Sequence, residues 1–274
     1  MATPVLCVGC VADGETAEEA PQSTPAAASK SAEAEQADPQ LDRLRATVAA
    51  DPDNAEARRS LAIALHSALL REEAVGHFEW LAKRDPTPRS LLDLALSYSS
   101  VARIEESAAT YERLLALVPN HPIALHNLGN LHYKGGEVER SIEYYRRSIT
   151  AQPDYLLAHF HLGQALELAE QYREAYRTYE KVLELEPTSA EEMTAYDDAL
   201  YHLASLDITM GAYQRAGGFL EELLKANPEH PSGYYAYGQV LLQLGRAEDA
   251  QRAFEAHARV MAKQKPTSPM AHGE

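Results

Sequence analysis

Apolar residues recur along this chain at the spacing of amphipathic helices, and prolines interrupt the pattern at regular intervals. The interrupting residues are Pro52, Pro86, Pro119, Pro153, Pro187 and Pro228. They lie 34, 33, 34, 34 and 41 residues apart, and a nearly constant interval of this size is typical of repeated two-helix units. The pattern therefore predicts a stack of helix pairs.

Aligning the units on their prolines shows columns of small and bulky residues. The eighth position of each unit, counted past seven extra residues in the fifth, holds a small residue after a large one, at Ala62, Ala95, Gly129, Gly163, Ala204 and Gly238. A bulky residue follows 16 positions later, at Phe78, Tyr111, Tyr145, Tyr179, Leu220 and Phe254. Small residues let two helices approach closely, and bulky ones fill the gap between neighbouring units.

This column pattern resembles the tetratricopeptide repeat family, and the segment HNLGNLHYKGGEVERSIEYYRRSITAQP matches the family motif closely. The resemblance implies an all-α fold, a right-handed α-solenoid of six helix-turn-helix repeats with an N-terminal capping helix. The predicted organisation is an acidic, Ala-, Pro- and Ser-rich disordered segment at 1–38, a capping helix at 39–54, six repeats over 55–265 and a disordered tail at 266–274. The predicted repeats are 55–87, 88–121, 122–155, 156–189, 190–230 and 231–265.

The fifth repeat departs from the regular interval by seven extra residues, which equal about two helical turns. We therefore expect its first helix to extend backwards through EEMTAYDD, with capping residues at Thr188 and Ser189. In one interpretation, Met193 and Tyr196 on this extension form part of a partner-binding lip. In the other, the extension packs against its own neighbour.

Charge and motif content exclude several classes of function. The net charge is -16, and the basic residues are scattered or paired, whereas phosphate binding needs clustered Lys and Arg. Nucleic acid is therefore not an expected partner. The chain has no GxSxG, GxGxxG or P-loop motif, so the sequence predicts neither an enzyme nor a cofactor.

In proteins that this chain resembles, the first helices of successive repeats line a concave groove that binds a peptide. Carrying over the groove columns predicts a mixture of rings, aliphatic side chains and amides suited to an extended peptide. The predicted groove residues are Arg59, Leu92, Leu96, His126, Asn130, Tyr133, Phe160, Gln164, Tyr201, Ser205, Tyr235 and Gln239. The alternative is that some of these rings pack against adjacent helices and contact no ligand.

Histidines suggest a second kind of site. His161 and His202 occupy the same column of adjacent repeats, so the two imidazoles could face each other and hold a metal or sense pH. No Cys and no HExxH motif accompany them. Ordinary hydrogen-bonded or solvated imidazoles are therefore the favoured interpretation, and no metal is predicted.

The two cysteines of the chain lie at its beginning. Val8-Gly9-Cys10 resembles the end of the bacterial lipoprotein processing motif, which makes Cys10 a candidate lipid attachment site. Alternatives are a zinc or redox pair with Cys7, or ordinary disordered chain. The location is the cell envelope if this segment is a truncated signal, and the cytoplasm otherwise.

The sequence thus favours a non-enzymatic scaffold or adaptor that binds a peptide segment of a protein partner in its groove. One alternative is a cell-envelope lipoprotein that assists assembly of a pilus or secretion-type machine. Another is a noncatalytic regulatory subunit of an enzyme. The oligomeric state and the identity of the partner stay open.

Overall fold

The computed structural model describes residues 39–264, and this part of the chain holds 13 α-helices and no strand. The all-α prediction is confirmed. The helices are α1 (Pro39–Ala50), α2 (Ala55–Ser67), α3 (Arg71–Arg84), α4 (Pro88–Ser100), α5 (Ile104–Leu117), α6 (Pro122–Lys134), α7 (Val138–Ala151), α8 (Leu156–Leu168), α9 (Tyr172–Leu183), α10 (Ala190–Thr209), α11 (Tyr213–Ala226), α12 (Gly233–Gln243) and α13 (Ala247–Gln264). The predictions for the segment 1–38, including Cys10, and for the tail 266–274 lie outside the described residues and stay predictions.

The described residues divide into two compact units, residues 39–77 and 78–264. In the first unit, α1 packs against α2, and it buries Leu41 and Val48 from the apolar stripe on one of its faces. This is the position expected of a capping helix, because the end of a repeat stack must cover its last apolar face.

The second unit consists of helix pairs in a regular order. Each first helix (α4, α6, α8, α10, α12) packs against the second helix that follows it, and each second helix up to α11 packs against the next first helix. Neighbouring first helices also contact one another, α6 with α8, α8 with α10 and α10 with α12. The first helices therefore line the inner side of this part of the stack.

The small and bulky columns meet inside each repeat. A Cβ atom added to Gly163 would lie 2.5 Å from the ring of Tyr179, and one added to Gly129 would lie 2.7 Å from the ring of Tyr145. The rings of Tyr145 and Tyr179 are almost fully buried. The absence of a side chain at the eighth position thus makes room for the ring that stands 16 residues later, and this fixes how closely the two helices of a repeat approach.

The turn after each first helix contains one residue with positive φ. These residues are Leu69, Ala102, Gly136, Glu170, Gly211 and Gly245. Glycine adopts this conformation without a steric penalty, which accounts for its use at three of the six turns. The recurrence of the same backbone conformation at each turn reproduces the same helix pairing in each repeat.

Helix α10 begins at Ala190 and contains 20 residues, which is the backward extension expected from the seven extra residues. The hydroxyl of Ser189 accepts a hydrogen bond from the backbone N–H of Glu192, at 3.2 Å, and the Glu192 carboxylate accepts one from the backbone N–H of Thr188, at 2.8 Å. Tyr196 packs towards α11 and donates a hydrogen bond to Glu222, at 3.4 Å. The extension therefore packs on its neighbour at Tyr196, while Met193 stays 48% exposed.

Among the helices of residues 39–264, none combines the length and the apolar character that crossing a membrane requires.

Candidate functional site: the inner face of the repeat stack

Aromatic and imidazole rings form a continuous row from α6 through α8 and α10 to the turn before α12. His126 of α6 is 4.9 Å from His161 of α8, measured between ring centroids. Next in the row are Phe160, His202 of α10, Tyr201 and His230, each within 6.3 Å of its neighbour. The rings connect consecutive repeats at their inner edge, because neighbouring first helices are in contact there.

His126 and His161 share a hydrogen bond between Nε2 of His126 and Nδ1 of His161, at 2.7 Å. Nδ1 of His126 lies 3.3 Å from the hydroxyl of Tyr155. Burial lowers the pKa of His126 to about 3, with a further contribution from His161, and burial also lowers the pKa of His161 to about 4. Both imidazoles are therefore neutral at pH 7, and one ring nitrogen of the pair donates to the other.

Glu167 of α8 forms the second polar centre of the inner face. Its Oε2 accepts a hydrogen bond from the hydroxyl of Tyr179, at 2.6 Å, and lies 2.7 Å from Nδ1 of His202. Burial acts to raise the pKa of Glu167, but the hydrogen bonds from His202 and Tyr179 outweigh burial and leave the pKa below its ordinary value. Glu167 is thus an ionised carboxylate held between two repeats.

The predicted groove residues differ in exposure. Leu96 and Tyr235 are 42% and 49% exposed, and Gln239 is also exposed. Six others are half-buried, namely Leu92, Asn130, Tyr133, Gln164, Tyr201 and Ser205. In contrast, His126, Phe160 and Arg59 are buried, and the rings of the first two pack against neighbouring rings. For His126 and Phe160 the structure agrees with the alternative in which rings pack between helices. These two residues and the buried Arg59 are therefore not part of the proposed contact surface.

The amides on this face have free hydrogen-bonding groups. The side-chain oxygen of Asn130 accepts a hydrogen bond from Tyr145, at 2.7 Å, which leaves the NH₂ group of Asn130 without a partner among the described residues. Gln164 and Gln239 have no side-chain hydrogen bond within residues 39–264. Amides of this kind can donate to and accept from a peptide backbone.

The histidine pairing differs from the one suggested by the repeat columns. His161 bonds to His126 and His202 pairs with Glu167, while Phe160 lies between the two imidazoles. Within residues 39–264 no group of three or more His, Cys, Asp or Glu side chains is arranged to hold a metal. The column alignment failed here because position 5 of one repeat faces position 6 of the next, a stagger that shows only once the helices are packed.

A buried carboxylate on the other side of α10 was not apparent from the sequence. Asp207 is fully buried and receives hydrogen bonds from Nε of Arg215, at 3.1 Å, and from the hydroxyl of Tyr176, at 3.3 Å, while Nη2 of Arg215 contacts its other oxygen. The guanidinium of Arg215 also lies over the ring of Tyr176. These contacts fix the relative positions of α9, α10 and α11.

Replacing Arg215 with methionine is expected to lower the urea concentration at the midpoint of unfolding, because the Asp207 charge then stays buried without its main partner. The matched control is Arg140→Met, which breaks the ion pair with Glu137. Both side chains of this pair are exposed, so the change in stability should be less than about 0.5 kcal/mol. Urea unfolding followed by circular dichroism measures both. Equal effects of the two substitutions would contradict the structural role of Arg215.

Comparison with known proteins identifies relatives. The chain is 24% identical over 185 residues to "Tetratricopeptide repeat-containing protein trd-1" of Caenorhabditis elegans, across 57% of this chain and 23% of that protein. It is 20% identical over 213 residues to "TPR repeat-containing protein YpiA" of Bacillus subtilis (strain 168), across 67% of this chain and 50% of that protein. The chain thus spans half or less of the length of these curated relatives.

Solved structures share the fold. YrrB, described as a TPR protein with an unusual peptide-binding site, superimposes with a TM-score of 0.57 and 16% identity over 68% of this chain and 93% of that chain. At this identity the likeness concerns the fold alone. Family models described as tetratricopeptide repeat match residues 34–90, 92–155, 156–189 and 207–266, which together make up most of the chain. The chain therefore belongs to the tetratricopeptide repeat family, and its fold is the α-solenoid of that family.

Proposed function

We propose that this protein is a scaffold that binds a peptide segment of a partner protein along the inner face of its repeat stack. The family fold is consistent with a protein-interaction role, and family members are generally noncatalytic. The observation that carries the proposal is the set of unpaired amide groups at Asn130, Gln164 and Gln239 beside exposed apolar side chains. The peptide-binding site named in the description of YrrB supports the proposal by analogy.

The chemistry of the face suggests how a segment is recognised. The amides form hydrogen bonds with the backbone of an extended peptide. These hydrogen bonds do not depend on the peptide's sequence. Tyr133 and Tyr235 cover its side chains, and Leu96 offers an aliphatic contact at the far end. Because the row of rings beneath this surface is packed and bonded, the surface is formed before the peptide arrives, which limits the entropy lost on binding.

The proposal is tested with peptides selected from a displayed random library against the full chain. The groove variant combines Tyr133→Ala, Gln164→Ala and Tyr235→Ala, and we expect it to bind the selected peptides at least about tenfold more weakly. The matched control combines Leu117→Ala, Gln251→Ala and Met261→Ala, exposed positions on second helices, and it should bind within about twofold of the wild type.

Binding that survives in the groove variant but not in the control variant would contradict the proposal. Circular dichroism of both variants checks that the helix content is unchanged. The two alternatives from the sequence, a cell-envelope lipoprotein and a regulatory subunit, stay predictions, since nothing in residues 39–264 favours either.

A further inference from the structure

A cavity of about 390 Å³ lies outside the groove, between α9, the end of α10 and the start of α11. Its apolar part is formed by Tyr172, which is 52% exposed, Met210, which is 60% exposed, and the more buried Leu206. Large apolar side chains exposed together at a concave surface are typical of a contact site.

Three arginines line the same cavity, Arg173, Arg177 and Arg215, against the single carboxylate of Glu180. Arg215 forms an ion pair with the buried Asp207, which neutralises its positive charge. Arg173 and Arg177 lie on adjacent turns of α9, are exposed, and have no ion-pair partner within the described part of the chain. The cavity is therefore locally positive in a chain whose net charge is -16.

The repeat fold does not require basic residues at positions 173 and 177. At the position of Arg173, the second helices of the other repeats carry acids or an amide: Glu72, Glu105, Glu139, Gln214 and Glu248. Arg177 corresponds to small residues in three other repeats, Gly76, Ala109 and Gly218. The basic pair is thus particular to the fourth repeat, where Met210 and Tyr172 supply the apolar wall.

We propose that this outer cavity is a second binding site, for an acidic peptide segment that carries an apolar side chain. The carboxylates pair with Arg173 and Arg177, since planar guanidinium groups match carboxylates in geometry and charge. The apolar side chain enters between Tyr172 and Met210. Arg215, fixed by Asp207 and Tyr176, keeps the floor of the cavity in place without depending on the ligand.

The experiment uses the full chain and a labelled peptide in which two glutamates precede and two follow a leucine, measured by fluorescence anisotropy. Arg173→Gln with Arg177→Gln should weaken binding by about tenfold or more. The matched control is Arg113→Gln with Arg259→Gln, two exposed arginines with the same total change of charge, and it should weaken binding by less than about twofold. Met210→Ser should weaken binding where Leu117→Ser, also at an exposed position, does not.

Several results would overturn the proposal. Equal weakening by the two pairs of arginine substitutions would indicate general charge attraction. Binding that is unchanged when glutamines replace the glutamates of the probe would exclude pairing with the arginines. Binding that is unchanged when serine replaces the leucine of the probe would exclude the apolar contact. Tighter binding of an oligonucleotide with the same charge, or self-association lost in the Arg173/Arg177 variant, would assign the cavity to a different occupant. The groove variant should bind this probe normally, so the two proposed sites can fail independently.

Discussion

Replacing Gly163 with valine is expected to destabilise the protein by about 3 kcal/mol. A Cβ atom at this position meets three carbons of the Tyr179 ring at 2.5 to 2.8 Å, which is well inside contact distance, and the ring is fully buried. The ring cannot move aside easily, since its hydroxyl is bonded to Glu167 and its face is stacked on His202. The substitution therefore disturbs a repeat and its junction with the next.

The matched control is Gly218→Val, in the middle of α11, where an added Cβ atom has no neighbour within 4 Å. Valine and glycine differ little in helix propensity, so this change should alter stability by less than about 1 kcal/mol. Urea unfolding of both variants provides the comparison. Similar losses would show that the effect at residue 163 comes from the helix backbone and not from the Tyr179 ring.

Lowering the pH from 7 to 5 is expected to remove about 3 kcal/mol of stability through the His126 and His161 pair. Both folded-state pKa values lie below the 6.5 of an unfolded histidine, so the unfolded chain takes up protons first as the pH falls. The stability is therefore complete above pH 6.5 and is lost progressively towards pH 4. The pair accepts one proton while keeping its 2.7 Å bond, but two protons would set N–H against N–H.

The measurement is urea unfolding at several values between pH 5 and 7, for the wild type and for His126→Gln with His161→Gln. The double variant should show a smaller dependence on pH, with the remainder including His77, His121 and His159, whose pKa values are also lowered by burial. His132→Gln is the control, because that imidazole is partly exposed beside Glu137. A pH dependence unchanged in the double variant would show that the pair does not carry it.

The repeats and their packing could be predicted because they follow from steric columns. The place of Gly163 opposite Tyr179 is visible in the sequence, since a small residue and a ring recur at a fixed interval in each repeat. The long α10 could be predicted as well, because seven inserted residues preserve the helical register.

The polar contacts of the inner face could not be predicted in the same way. Whether His161 pairs with His126 or with His202 depends on the stagger between neighbouring helices, which no column records. Exposure of individual groove residues also depends on this stagger: Phe160 is buried between His161 and His202, whereas Tyr235 of α12, outside this row, is half exposed. Sequence columns thus define the face, and packing decides which of its members a ligand can touch.

The row of rings also bears on the mechanics of the stack. In a helical solenoid each repeat contacts only its neighbours, so the resistance to bending depends on the contacts between adjacent repeats. Separating neighbouring first helices would break the hydrogen bond between His126 and His161 and the pairing of Glu167 with His202. We therefore expect the third to fifth repeats to act as one stiff segment under load, with elastic bending concentrated at the junctions that lack such bonds.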